Sequence, residues 1–378
     1  MKRFDAIQVL RGVAALAVIL FHARQELVWR HIAVPLPELT VGAAGVDLFF
    51  VVSGFVMVHA SRALFGSRAS MKPFLLRRLV RIVPLYWFFT LVRLLYIVAA
   101  NRHSSLLDDW PSHLLYSLSF VPPGDGRFPI VVQGWTLSYE MAFYLAFALC
   151  LPFQEGRALL VLSGALALAG VLGGLDLVQG RAAAIANPQL FEFLGGMLVA
   201  RLHGAGLRLA PVPAAGLALA GAAALLATAS GLESIGPWRG LVWGVPATAI
   251  VAAATLGRHA GRRAVPALLL RLGDASYSLY LCHMLVFTLL SRVLLGLAFA
   301  HPLGALAYFA ASIVAAVLAG LASHRWIERP MFAACTARLR RAGAIPGPSG
   351  TPPDAPALHP PEGGRDWRRR KALSSGTN

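Results

Sequence analysis

Apolar stretches of about 20 residues, separated by short polar or basic intervals, recur along the chain. They lie near residues 7–28, 41–62, 79–100, 132–153, 158–176, 188–204, 210–230, 239–257, 268–297 and 303–324. A helix rising 1.5 Å per residue needs about 20 such residues to cross the ~30 Å hydrocarbon core of a bilayer. The pattern therefore predicts an all-α, polytopic transmembrane helix bundle of about ten spans. Only one interval between runs is long, 101–131, with Asp108, Asp109, Trp110 and the turn-forming PPGDG; it reads either as the rim of a site or as a plain solvated loop. From about residue 335 Pro, Gly and Arg dominate, ending in RDWRRRKALSSGTN, a composition that buries no core. The expected division is a transmembrane domain over 1–334 and a disordered, basic, Pro/Gly-rich cytoplasmic tail over 335–378, with no appended soluble domain. The Ala, Leu and Gly content between 158 and 257 predicts helices packed through small residues.

Composition agrees with a membrane chain. It is 57% hydrophobic and only 13% charged, whereas a soluble domain carries about a quarter charged residues. A formal net charge of +17 would suggest nucleic acid in a soluble protein, but in a membrane protein Lys and Arg gather on the cytoplasmic side. With a cytoplasmic N-terminus, the inner segments hold Lys2, Arg3, Arg62, Arg68, Lys72, Arg77, Arg78, Arg81, Arg157, Arg201, Arg208, Arg258, Arg262, Arg263 and Arg271. The outer ones hold Arg30, Arg102, Arg127, Arg181 and a few at span ends. This asymmetry predicts a multi-pass protein with both termini cytoplasmic; the expected setting is a bacterial-type inner membrane, with membrane lipid as a partner and no nucleic acid. The opening MKRF and its apolar run resemble a signal peptide, but Arg11 interrupts the run and further spans follow, so an uncleaved first span is expected. Cys150, Cys282 and Cys335 are odd in number and widely spaced, which indicates neither a disulfide framework nor a metal site.

Polar side chains inside the spans are costly and mark functional sites by default. Arg11 and His22 stand eleven residues apart in the first run, so on a helix they share one face and lie ~16 Å apart along the axis. His22 lies ~9 Å below the outer end of its span, Asp47 at a similar depth on the second, and Glu140 ~12 Å down the fourth. Glu192 enters early in the sixth span and His283 in the outer half of the ninth. If these helices are neighbours, an outer cluster of imidazole and carboxylates results, in which His22 with Asp47 or Glu140 forms an acid-base unit. The alternatives are structural: Asp47 or Glu140 as helix-to-helix hydrogen bonds, Glu140 as a binder of substrate hydroxyls, and His283 as a packed histidine. On the inner side Arg77, Arg78 and Arg81 open the third span before Pro84. Arg78 and Arg81 share a helix face and suit phosphate, as does Arg11 at comparable depth, although a basic stop-transfer cluster has the same appearance.

With these residues placed, the chain resembles the membrane acyltransferase 3 family from residue 7 to about 330. The matching pieces are IQVLRGVAALAVILFH with its Arg-x10-His signature, GVDLFFVVSGFVM, the RxxR in RRLVR, GWTLSYEMAFY, SYSLYLCH and HRWIERP. The detail is most similar to the exopolysaccharide acetyltransferase (ExoZ-like) branch, without a fused extracellular domain. The resemblance implies transfer of an acetyl group from cytoplasmic acetyl-CoA, the acyl donor substrate, to a sugar hydroxyl of a surface or secreted polysaccharide or its lipid-linked precursor. It implies His22 as catalytic, Arg11 as its signature partner, Arg78 and Arg81 as the inner arginine motif, and Glu140 as the fourth-span acid. Arg11, Arg78 and Arg81 are then expected to meet the donor's phosphates, with His22, Glu140 and Asp47 at the chemistry. The competing reading is a transporter or flippase of a lipid-linked glycan, whose passage the same polar groups would line.

Overall fold

The apolar runs fold as helices throughout the computed structural model, which describes residues 4–33, 36–38, 40–100, 109–122, 126–228, 236–258, 265–300 and 302–346. Lys2, Arg3, Arg102, Asp108, Arg262, Arg263, most of the PPGDG turn and the chain from 347 onward lie outside the described residues. The helices are α1 (Asp5–Trp29), α2 (Gly45–Ser61), α3 (Met71–Ala99), α4 (Trp110–Ser119), α5 (Gly134–Cys150), α6 (Glu155–Gly174), α7 (Gly180–Ala183) and α8 (Leu190–Gly204). They continue as α9 (Pro211–Ala227), α10 (Arg239–Val242), α11 (Gly244–Leu256), α12 (Ala267–Asp274), α13 (Ser276–Ala300), α14 (Pro302–Ser323) and α15 (Arg329–Arg341). A π-helical turn, His324–Glu328, joins the last two. Among the described residues the only β pairing is an isolated bridge between Leu209 and Gly257.

The fold is thus an all-α polytopic membrane bundle, but the expected count of about ten spans is not met. Seven helical stretches are long and apolar enough to cross a membrane among the described residues. The apolar runs at 132–153, 188–204 and 210–230 become α5, α8 and α9, of 17, 15 and 17 residues. At 1.5 Å per residue these reach about 22 to 26 Å, short of the ~30 Å core. The cause in α8 is visible in its C-terminus. Gly206 takes a left-handed φ of 87°, Leu207 N–H reaches Leu202 O at 3.1 Å and Gly206 N–H reaches His203 O at 3.2 Å, a Schellman stop that only an achiral residue adopts without strain. The run at 268–297 is likewise divided at Ala275 into α12 and α13.

The innermost helix is α2, whose apolar window is 78% buried. It packs against α1, α5, α8 and α11. The crossing with α8 is close because glycine stands on both sides: a Cβ at Gly54 would collide with the Phe193 backbone, and one at Gly196 with the Val51 carbonyl. Small residues let helices approach in this way where no hydrophobic effect drives them together. Helix α13 runs beside α1, α3 and α14. Around α2, therefore, α1, α3, α5 and α13 all contribute to one interior.

Candidate active site

Helices α1, α2, α3, α5 and α13 line an open cavity of about 160 Å³. Its polar wall is made of Arg11 from α1, Ser53 from α2, Arg78 and Arg81 from α3, and Glu140 and Tyr144 from α5, with Tyr277 and Tyr280 from α13. The apolar remainder includes Phe49, Phe50 and Ile82. Three arginines that the sequence places at one depth thus face one space. Glu140 joins them rather than a separate outer group. Its carboxylate accepts a hydrogen bond from Ser53 Oγ at 3.3 Å and a short one from the Tyr144 hydroxyl, and Arg11 and Arg78 act on it electrostatically.

Each arginine is held differently. The Arg78 guanidinium lies 5.5 Å above the Phe74 ring and 5.8 Å above that of Tyr144, contacts worth ~0.5 to 2 kcal/mol. Arg81 Nη1 pairs with Glu328 at 2.9 Å. Glu328, nearly fully buried in the π-helical turn, is also bonded by Ser278 Oγ at 2.6 Å and by His324 Nδ1 at 2.9 Å. Sequence reasoning assigns Glu328 no role, although it belongs to the HRWIERP segment. Arg11 feels Arg81, Glu328, Asp274 and Glu140. The cavity wall itself carries three guanidiniums and one carboxylate, Glu140, with Glu328 and Asp274 behind it; guanidiniums are the donors that suit phosphates.

His22 lies on the same helix as Arg11 but is not part of the cavity wall. The hydrogen-bonding neighbours of its ring among the described residues are Val18 O, 3.0 Å from Nδ1, and His283 Nε2, 3.2 Å from the same atom. His283 is fully buried, and its Nδ1 lies 3.2 Å from Leu279 O. The link back to the cavity runs through Tyr280, one turn earlier on α13. Its ring centroid is 6.1 Å from that of His283 and 6.0 Å from that of Phe49, and its hydroxyl lies 3.0 Å from Thr136 Oγ1. A signal for His283 is present in SYSLYLCH: Ser276, Tyr280 and His283 fall at i, i+4 and i+7, on one helix face.

Asp47 lies elsewhere. It is fully buried, accepts a hydrogen bond from Arg239 Nη2 at 2.7 Å, and interacts with Glu192, which is also fully buried. Arg239 in turn donates to Ala43 O at 3.1 Å and lies 4.8 Å above the Trp243 ring. The structure therefore brings Arg11, Arg78, Arg81 and Glu140 together and sets His22 apart from them with His283. Asp47 is in a third group with Arg239, a residue that sequence reasoning does not single out.

Comparison with known proteins bears on what this arrangement does. A family model described as an acyltransferase domain matches residues 4–323. The chain is 35% identical over 322 residues to the exopolysaccharide production protein ExoZ of Rhizobium meliloti, covering 81% of this chain and 94% of that protein. It is 28% identical over 401 aligned positions to the acyltransferase MdmB of Streptomyces mycarofaciens, covering 92% and 96%. No solved structure matches significantly.

Proposed function

The chain belongs to the membrane acyltransferase family, and from that premise we propose that it is an O-acetyltransferase taking acetyl from cytoplasmic acetyl-CoA to a sugar hydroxyl of a surface or secreted polysaccharide or its lipid-linked precursor. The likeness to an exopolysaccharide production protein supports the acceptor class. The observation that carries the donor is the cavity: Arg11, Arg78 and Arg81 converge on one space at one end of α1, with a histidine farther along the same helix. Arg11 and His22 are ~16 Å apart along the axis, of the order of a pantetheine arm. Phosphates held by the arginines would then leave the thioester near Tyr280 and His22. Tyr280 lines the cavity and packs toward His283, the ring that touches His22. Both termini are cytoplasmic in this reading, which puts the arginines on the side where acetyl-CoA is found.

His22 acts as the base. It takes the proton of the acceptor hydroxyl as that oxygen attacks the thioester carbonyl; the C–S bond breaks, an ester forms, and the proton passes to the departing thiolate. In the alternative order the imidazole first accepts the acetyl group and then passes it to the hydroxyl. Incubation with acetyl-CoA and no acceptor separates the two, since only the second accumulates acetyl-His22. Glu140 contributes inside the cavity, where it balances Arg11 and Arg78 and positions the donor. Asp47 supports the site from outside, through Arg239.

The test is the acetyl content of the polysaccharide, measured by NMR in a deletion strain complemented with the wild-type gene or with His22→Ala. We expect acetyl signals to return only with wild type. Full acetylation by His22→Ala would overturn the assignment. Purified protein that acetylates glycan in detergent, with no membrane potential, would exclude a transporter as the source of the phenotype.

A further inference from the structure

We infer that His283 is a positioning residue for His22: its Nε2 accepts a hydrogen bond from His22 Nδ1–H, which leaves His22 Nε2 as the reacting nitrogen, and it stabilises the imidazolium that forms during transfer. This rests on the proposed role of His22. The assignment follows from two backbone carbonyls. A carbonyl oxygen only accepts hydrogen bonds. Leu279 O, 3.2 Å from His283 Nδ1, therefore requires the proton on that nitrogen and leaves His283 Nε2 with a lone pair. Val18 O, 3.0 Å from His22 Nδ1, requires the proton there as well. The 3.2 Å contact between His22 Nδ1 and His283 Nε2 is then a donor facing an acceptor, with the His22 proton shared between Val18 O and the second imidazole. His22 Nε2 is left unprotonated, as a base or a nucleophile must be.

The two rings differ in access. His283 is fully buried, with Phe287 at 5.7 Å and Tyr280 at 6.1 Å between centroids, whereas His22 is partly exposed. Only His22 can meet an acceptor hydroxyl, so His283 acts through it. In hydrolytic triads a carboxylate orients the histidine and stabilises its charged form. Here the groups that face His22 along this axis are a carbonyl and a neutral imidazole. Asp47 and Glu140, the carboxylates nearest in depth, are engaged by Arg239 and by Ser53 and Tyr144. A neutral acceptor stabilises the imidazolium less than a carboxylate does, and it avoids placing a further buried charge beside the ring.

The experiment uses the full-length protein with acetyl-CoA and acceptor glycan. It compares His22→Ala, His283→Leu and His283→Gln, whose amide oxygen can accept at the position of Nε2. We expect His22→Ala to abolish transfer. His283→Leu should lower kcat by at least about tenfold, the range of tautomer and orientation effects in acid-base catalysis, with the acetyl-CoA KM within about twofold. His283→Gln should recover a large part of that loss. The ¹⁵N spectrum of histidine-labelled protein, with His22 assigned by subtraction of the His22→Ala spectrum, should show the Nδ1–H tautomer in wild type and a tautomer mixture in His283→Leu. If His22→Ala is inactive while His283→Leu keeps wild-type kcat and the same tautomer, Val18 alone orients the ring and the inference fails, with the role of His22 intact. If His22→Ala is active, the proposed function itself fails. A kcat loss in His283→Leu that Gln does not relieve and that leaves the His22 tautomer unchanged assigns His283 to packing and also overturns the inference.

Discussion

At the scale of single residues, the cavity's arginines have distinct surroundings and so distinct expected effects. Arg11 and Arg78 line the space, and Arg81 does so while held by a short ion pair to Glu328. Arg11→Ala is expected to raise the acetyl-CoA KM about tenfold, ~1.4 kcal/mol, with a smaller change in kcat, as the loss of binding equal in ground and transition states does; steady-state kinetics at saturating acceptor give both parameters. Glu328→Gln should instead act on stability. It leaves Arg81, only partly exposed, without its counter-charge, and removing one partner of a largely buried pair costs several kcal/mol when the other stays charged. A lower thermal midpoint in detergent is expected, and Arg81→Met combined with Glu328→Gln should lose less than the two single changes added together. Arg11 and His22 are legible in the sequence because an ionisable residue within an apolar run has few explanations. The partner of His22 is not, because His283 is 261 residues away and only packing brings two helices into register.

At the scale of elements, the runs of apolar residues locate the helices well and their ends less well. The segment 268–297 reads as one span, yet α12 and α13 are separate. Hydropathy averages over a break that takes only one residue. The small residues of α2 and α8 have a testable meaning. Gly54 and Gly196 sit where the two backbones meet, whereas a Cβ added at Gly164 in α6 or at Gly216 in α9 would stand in open space. Gly54→Leu should separate α2 from α8 and lower the yield of folded protein, because overpacking at a backbone contact has nowhere to relax. Gly164→Ala should be neutral or add up to ~1 kcal/mol of stability, read as an unchanged or slightly higher thermal midpoint, since alanine is the better helix former. Equal loss in both would mean that the close crossing carries no special weight.

At the scale of the whole molecule, topology turns on which of the shorter helices cross. Among the described residues seven stretches are long and apolar enough to cross, and an odd number of crossings would put the termini on opposite sides. The charge asymmetry argues for both in the cytoplasm. The two agree only if an odd number of the shorter apolar helices α5, α8 and α9 also cross, which is open to them because they pack within the bundle against α3, α6, α2 and α11. Reporter fusions at the two ends of the chain are expected to give the cytoplasmic signal at both. A cytoplasmic and a periplasmic signal would favour seven crossings and would reverse the orientation argued for one end.

Sequence alone determined the class of this protein, because a bilayer accepts only long apolar helices or closed barrels and the hydrophobic pattern allows the first. It also located the ionisable residues that such a setting makes expensive: Arg11, His22, Asp47, Arg78, Arg81 and Glu140. What it left undetermined was their grouping. Depth along a helix is a one-dimensional quantity, and it put His22, Asp47 and Glu140 at similar heights without saying which faces meet. Only the packing of α1, α2, α3, α5 and α13 around one space assigned Glu140 to the arginines, Asp47 to Arg239 and His22 to His283, because lateral neighbours in a bundle are chosen by side-chain fit between helices far apart in the chain.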